Sequence, residues 1–356
     1  MAYTTINKSS EYFDTKIYTG NGSSQTLNMD YLGLLWMKNR TETSNNILFD
    51  VVRGGYYTSA PGPELRANTN IPGSGSDITS AYGITFGSSS STIGSDGGGY
   101  NYNQNGKSYV GWQWRANGAG SANTNGSINT IATSANTTAG FSISTYTGTG
   151  SNATIGHGLG VAPAMIITKA TSFSEEWLVY HQSMGNTDAI NLNLTNAKSS
   201  SATYWQNTTP SSSVFYVGSN DKCNKSGATY VAYCFSDVQG FSKMGSYVGN
   251  ANADGAFIYT GFKPAFVIIK DSTSAGYNWL MYDNKRLGYN EDNKYLVANE
   301  NYAEAGSASD NAVDLLSNGF KFRTANQNSN RTNTYIYAAF ASAPLVGTNN
   351  IPNNAR

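Results

Sequence analysis

The sequence has few charged residues, only two cysteines and no long apolar segment. Charged side chains make up 12% of the 356 residues, and the 22 basic and 22 acidic ones cancel. A chain without excess positive charge lacks the electrostatic signature of proteins that bind nucleic acid or anionic lipid, so we predict neither partner. No apolar run approaches the roughly 20 residues that span a bilayer, and we therefore predict no membrane insertion.

Two cysteines, Cys223 and Cys234, are too few for a disulfide framework. The N-terminal stretch MAYTTINKSSEYFDTK lacks the apolar centre of a signal peptide, which predicts synthesis and folding in a reducing cytoplasm. The segments of the two cysteines are neighbours in a predicted hairpin, so the geometry allows a bridge. A reducing compartment disfavours it, and Cys234 is better interpreted as a small buried hydrophobic residue.

What the chain does contain is glycine, tyrosine and internal repetition. The 38 glycines and 25 tyrosines, with 13% aromatic residues in total, are typical of a folded chain, since disordered chains have few aromatics and a high net charge. One unit occurs three times: an opening motif, an apolar run that ends in lysine, further apolar runs and a closing aromatic motif. The opening motifs start at Ile17, Thr145 and Ser246, and the apolar runs end at Lys38, Lys169 and Lys270. A later landmark is LRAN (65–68), LNLT (192–195) and LVAN (296–299). The closing motifs are SYVGWQW (108–114), TYVAYCF (229–235) and TYIYAAF (334–340).

These landmarks have the features of β-strands. They are short, rich in β-branched and aromatic residues, and bounded by Gly, Asn and Ser. In the first closing motif Val110, Trp112 and Trp114 share one face, and the opposite face is also uncharged, which indicates a strand in the centre of its sheet. Units of about 95 residues with frequent turn signals favour β-sandwiches, each large enough for its own core.

We therefore predict an all-β chain of three sequence-related antiparallel β-sandwich modules in tandem, with only short stretches such as 310–317 helical. The segment between the first two modules is interpreted either as a flexible linker or as an edge strand shared between modules, and its alternation favours the strand. The predicted segments are an N-terminal docking arm (1–16), module 1 (17–116), the linker or shared edge strand (117–144), module 2 (145–238), module 3 (246–344) and a C-terminal tail (345–356).

No catalytic or metal-binding motif stands out. HExxH, nucleophile-elbow, P-loop and CxxC patterns are absent from the sequence. His157 is interpreted as a turn residue and His181 as a polar cap at a strand end, while the Asp50–Arg53 spacing, repeated at 283 and 286, predicts structural ion pairs. We predict no catalytic residue, no cofactor and no metal, and hence no enzyme.

Aromatic residues in loops are the candidates for surface contact. Flat rings with polar edges stack on pyranose faces, so exposed aromatics could bind glycans. The candidate contact residues are Trp205, Tyr56, Tyr57, Tyr100 and Tyr102. Trp205 belongs to no strand motif, and the four tyrosines lie in Gly-rich loops.

Several long motifs are similar to a module family of bacteriophage virion proteins. They are YTGNGSSQTL, GHGLGVAPAMIITK, TYVAYCFSDVQGFSKMGSYVGN, GFKPAFVIIK, LSNGFKFR and TYIYAAFA. The family is common in phages of marine bacteria and cyanobacteria, and its members are described as tail-fibre-like, minor tail or structural proteins. It has no catalytic signature, so the resemblance implies a virion component and transfers no residue role.

The resemblance and the composition lead to the same expectation. A β-protein that is low in charge, rich in Tyr and Gly and without a signal sequence suits a virion part that leaves the host cytoplasm on lysis. We expect a non-enzymatic external appendage, tail- or head-fibre-like or an adaptor, that contacts other virion proteins and the host surface, including its glycans. A homo-oligomer, plausibly a trimer, is expected. The alternatives are a capsid decoration or cement protein and a carbohydrate-binding, lectin-like protein.

Overall fold

Strands dominate the fold. The computed structural model of the chain describes residues 3–29, 32–54, 64–73, 83–87, 90–95, 101–286, 290, 294–305, 311–347 and 352. Within these residues the helical elements are two four-residue α-helices and two 3-10 turns. They are α1 (Ala202–Trp205), α2 (Asp221–Asn224) and the turns Ser9–Glu11 and Gln182–Met184.

The strands fall into three groups along the chain. The first group is β1 (Phe13–Thr19), β2 (Gln25–Leu27), β3 (Gly33–Asn39), β4 (Ile47–Asp50), β5 (Leu65–Arg66), β6 (Ile84–Phe86), β7 (Ser91–Ile93) and β8 (Ser108–Arg115). The second is β9 (Ala132–Asn136), β10 (Phe141–Thr147), β11 (Ala153–Gly156), β12 (Met165–Ala170), β13 (Leu178–His181), β14 (Asp188–Asn191), β15 (Ser199–Ser200), β16 (Val214–Val217) and β17 (Thr229–Phe235). The third is β18 (Ser242–Val248), β19 (Phe257–Tyr259), β20 (Phe262–Asp271), β21 (Leu280–Asp283), β22 (Leu296–Val297), β23 (Val313–Leu316), β24 (Gly319–Phe322) and β25 (Thr334–Pro344).

The three groups repeat one sheet topology. Each has a large sheet in which the opening strand pairs with the closing strand, followed by three further strands: β1-β8-β3-β4-β5, β10-β17-β12-β13-β14 and β18-β25-β20-β21-β22. Module 2 adds β9 and β15 at the two edges. A small sheet accompanies each large one: β2-β7-β6, β11-β16 and β19-β24-β23. The prediction of an all-β fold built from three related antiparallel modules is confirmed.

The closing strands lie inside their sheets, as their uncharged faces predict. Strand β8, for example, pairs with β1 on one side and β3 on the other. The last aromatic of each closing strand meets its two counterparts at the centre of the molecule. The ring centroids of Trp114 and Phe340 are 5.4 Å apart, those of Phe235 and Phe340 5.7 Å, and those of Trp114 and Phe235 6.1 Å. Three equivalent side chains therefore mark a pseudo-threefold centre.

The modules share one core, although each is large enough to hold its own. One cluster of buried apolar side chains joins residues of all three modules, whereas a second lies between the two sheets of module 2. Neighbouring residues of one strand alternate between the clusters: Ile167 joins the shared one and Ile166 the local one. Both faces of the large sheet are apolar because a small sheet covers one and the other two modules cover the other.

The N-terminal segment is bound to module 3 of the same chain. The Tyr3 hydroxyl donates to the Gly261 carbonyl at 2.8 Å, and the Thr4 hydroxyl donates to the Gln239 carbonyl at 2.8 Å. Ile6 is buried in the shared core, and β1 already begins at Phe13. Parts of the predicted docking arm, namely Tyr3, Thr4, Ile6 and the start of β1, therefore make intramolecular contacts. Of the predicted tail, residues 345–347 and 352 are described.

Three local predictions need correction or refinement. Residues 313–316 form β23, whose buried side chains alternate as in a strand, so the helical interpretation of 310–317 is wrong. Segment 117–144 contains β9, which pairs with β10 as the edge strand of module 2. The landmark LNLT is misplaced by two residues, since Ile190 and Asn191 occupy the positions of Leu65 and Arg66 in the register. Because strand periodicity is two, a shift of two residues preserves the pattern.

Candidate functional site

The aromatic residues predicted to lie at the surface are buried where the structure describes them. Trp205 ends the one-turn helix α1 with 2% of its surface exposed and packs edge-to-face on Tyr180, with ring centroids 5.9 Å apart. Tyr102 is 1% exposed and packs edge-to-face on Phe49. Both predictions of exposure are wrong, because each loop folds back over an apolar sheet face. The other three candidates, Tyr56, Tyr57 and Tyr100, lie outside the described residues.

The seams between modules carry one repeated set of hydrogen bonds. The residue directly before β4, β13 or β21 donates its side-chain N–H across the seam to a backbone carbonyl of a neighbouring module. The donors are Asn46, Trp177 and Trp279, and the acceptors, at equivalent register positions, are Val297 (2.9 Å), Arg66 (3.0 Å) and Asn191 (2.9 Å), respectively.

A second repeated set lies at the other end of the same strands. Asp50, His181 and Asp283 end β4, β13 and β21, and each bonds to the closing strand of the next module. The partners are the Tyr233 hydroxyl (2.7 Å), the Tyr337 carbonyl (3.0 Å) and the Trp112 indole N–H (3.1 Å), respectively. Module 1 thus binds module 2, module 2 binds module 3, and module 3 binds module 1, which is the closed arrangement of a cyclic trimer.

The predicted ion pairs and histidine roles fit this seam. The side chains of Asp50 and Asp283 are fully buried and accept from Arg53 at 2.5 Å and Arg286 at 2.6 Å, which confirms the ion pairs. In module 2, His181 accepts from the backbone N–H of residue 183 through Nδ1, so its Nε2–H is free to donate across the seam. Burial lowers the pKa of His181 to about 4, and the ring is neutral at physiological pH.

The lysines that end the apolar runs are buried amines with backbone partners. Lys38 donates to the carbonyl of Ser44, Lys270 donates to Asp271 at 2.9 Å, and Lys169 bridges two modules by donating to Glu175 (2.8 Å) and Asn70 (3.0 Å). Burial lowers the pKa of Lys38 to about 7 and those of Lys169 and Lys270 to about 8. These amines donate hydrogen bonds to backbone carbonyls inside the fold.

The remaining reactive groups are enclosed as well. His157 is buried, accepts from the Leu159 N–H and bonds to the Ser211 carbonyl, as expected of a turn residue. Cys223 and Cys234 are both free and buried, and burial raises the pKa of each thiol above its usual range. In the part of the chain that the structure describes, no group of three His, Cys, Asp or Glu side chains could hold a metal ion.

The centre of the ring holds a small cavity of about 30 Å³. Its lining is apolar and comes from all three modules, including Trp114, Phe235, Phe266 and Phe340. A space of this size accommodates about one water molecule, but a buried water needs polar partners, so the cavity is a packing defect at the centre.

An open cleft of about 470 Å³ lies where the link from module 2 to module 3 meets the N-terminal segment. Its lining is mixed aromatic and polar and includes Tyr3, Asp237, Gln239, Lys243 and Tyr259. The volume falls within the usual range of small-ligand sites. The cleft combines the half-exposed ring of Tyr259 with the charged side chains of Asp237 and Lys243, and it is the candidate binding site.

Short-range contacts hold the polar groups of the cleft in place. Asp237 accepts from the Met244 N–H at 2.7 Å through Oδ1 and from the Gln182 amide at 3.0 Å through Oδ2. Burial and the neighbouring Tyr259 raise the pKa of Tyr3 to about 12. The two hydrogen bonds hold the Asp237 carboxylate at a fixed position and leave lone pairs on its oxygens for a ligand. Tyr259, which lines the same cleft, is 51% exposed.

Sequence reasoning missed the cleft because its residues come from three separate segments. The alternation of β19 offers the one usable signal. Ile258 is buried in the core, and its neighbours Phe257 and Tyr259, which point the other way, are both about half exposed.

No helix in the described part of the chain has the length and hydropathy to cross a bilayer.

The comparisons with known proteins place the chain in one family. No curated protein and no solved structure matches the chain. A family model described as a domain of unknown function, DUF7483, matches residues 8–344, and the chain belongs to that family.

Proposed function

We propose that the chain is a non-enzymatic structural component of a bacteriophage virion, placed in an external appendage of the tail-fibre, head-fibre or adaptor type. The proposal rests on the resemblance of the repeated motifs and on one structural observation. Three modules of a single chain close into a ring around one apolar core, and the seams are bonded at equivalent positions.

This architecture fits a part that must persist outside the cell. A virion component is neither refolded nor replaced after release, so its durability depends on slow unfolding. Separating any module exposes the apolar inner faces of all three and breaks seam bonds on two sides. Covalent continuity keeps the ring closed at any dilution, unlike a trimer of separate chains.

The titratable groups support the non-enzymatic part of the proposal. Lys38, Lys169, Lys270, His157 and His181 are all buried and bonded to backbone groups. Their hydrogen-bonding capacity serves the fold, and the same holds for the carboxylates of the seam ion pairs.

The experiment is quantitative mass spectrometry of purified particles of the virus that encodes the chain. We expect the protein in CsCl-banded particles at tens of copies or fewer per major capsid shell, with antibody labelling at an appendage. Hundreds of copies distributed over the shell would favour a decoration protein. Absence from the particles would refute a virion role.

A further inference from the structure

The cleft of module 3 differs in chemistry from the same place in module 2. Strands β11 and β19 occupy equivalent positions, since Ile155 pairs with Phe215 as Ile258 pairs with Phe320. Each is followed by a glycine with positive φ, Gly158 and Gly261. The position equivalent to Tyr259 is then Gly156.

In module 2 that place is filled by the chain itself. The side chain of Asn123 lies against Gly156, so closely that a Cβ there would come within 2.1 Å of it. The lining of the module 2 cleft consists of Asn, Ser, Thr, Ala and Gly. In the described part of module 3, by contrast, an open cleft lies at this position, lined by Tyr259 and by Tyr3 of the N-terminal segment.

The open cleft combines three features of a sugar site. The half-exposed ring of Tyr259 offers an apolar face of the size of a pyranose. Asp237 offers two carboxylate oxygens that are already oriented by Gln182 and Met244. Gln239 and Lys243 line the same cleft and add donors, and the two glycine turns at 240 and 261 let the N-terminal segment pack closely as the floor.

We propose that this cleft binds a pyranose unit of a surface polysaccharide, with the sugar face stacked on Tyr259 and two neighbouring hydroxyls donating to Asp237. The carboxylate and the ammonium of Lys243 balance each other, so a neutral sugar fits the charge of the site. This inference rests on the proposed function and gives a chemical class to the host-surface contact that the sequence predicts for such an appendage. It does not depend on where the protein sits on a particle.

The experiment is saturation-transfer NMR on the full chain. The probes are the methyl glycosides of glucose, galactose and mannose and free N-acetylglucosamine, each titrated to obtain an affinity. We expect saturation transfer to the ring protons of at least one probe. The Tyr259→Ala variant should bind it at least tenfold more weakly, and Asp237→Asn should also weaken binding because one acceptor becomes a donor.

A matched control separates the site from general surface effects. Tyr302 is 54% exposed in module 3 and does not line the cleft, so Tyr302→Ala should keep the wild-type affinity within twofold. Thermal melting of each variant checks folding. Affinity of Tyr259→Ala within twofold of the wild type would overturn the assignment to this cleft, and no saturation transfer to any of the four probes would overturn the pyranose class. Neither result alters the particle count that tests the virion proposal.

Discussion

Three lysine side chains at equivalent positions are buried in a chain that has few charges. Each amine donates to one or two backbone carbonyl oxygens, and burial lowers the pKa of all three below the value of 10.5 in an unfolded chain. Between the folded and unfolded pKa values the unfolded chain binds more protons. The free energy of unfolding therefore rises with pH in that window.

Lys38 has the widest window, from about pH 7 to 10.5. We expect Lys38→Met to remove a pH dependence of about 1.4 kcal/mol per pH unit from the unfolding free energy. The measurement is urea denaturation of wild type and variant at pH 7.0, 7.75 and 8.5, compared as a difference so that cysteine ionisation cancels. The exposed Lys8→Met serves as control. Equal slopes for wild type and Lys38→Met would contradict the expectation.

The Tyr233 hydroxyl tests the seam between modules 1 and 2. It donates to the buried Asp50 carboxylate, which also holds Arg53. We expect Tyr233→Phe to lower the unfolding free energy by about 1–3 kcal/mol, because a buried charged acceptor loses one donor. Tyr302→Phe, at an exposed site, should change it by less than about 0.5 kcal/mol. Equal stability of the two variants would show that this bond contributes nothing to the seam.

The N-terminal segment acts as a clamp on module 3, and Ile6 is its apolar anchor. Ile6 is 1% exposed and belongs to the shared core, whereas Ile131 is 60% exposed. Truncating a buried isoleucine costs about 2–5 kcal/mol through lost burial and the cavity left behind. We expect Ile6→Ala to show that loss in denaturant unfolding and Ile131→Ala to leave stability unchanged. Similar midpoints for both would mean that the segment is detached in solution.

At the scale of strands, much of the fold follows from local pattern. The uncharged faces of the closing strands predict that these strands lie in the centre of their sheets. The repeated lysine marks the end of the same strand in each of the three modules. Errors occur where a pattern is compatible with two registers or two partners. The LNLT landmark slips by two residues, and Trp205 is buried by a single helical turn too short to leave a periodic signal.

At the scale of the molecule, closure could not be predicted from the sequence. The seam bonds join residues 88 to 251 positions apart, and no local periodicity specifies such pairs. The cleft has the same origin, since residues 3, 237 and 259 meet only when the ring is closed. A tandem sequence repeat is compatible both with separate modules and with one closed unit, and the inner apolar face decides between them.

A closed ring unfolds as one unit. Because Phe340 touches Trp114, Phe235 and Phe266, its loss weakens the core of all three modules at once. We expect Phe340→Ala to cost about 3–5 kcal/mol and to lower hydrogen-exchange protection in the central strands of modules 1, 2 and 3 alike. Wild-type calorimetry should give a single transition whose calorimetric and van't Hoff enthalpies agree. Three separate transitions, or loss of protection confined to module 3, would show that the modules unfold independently and that the shared core does not couple them.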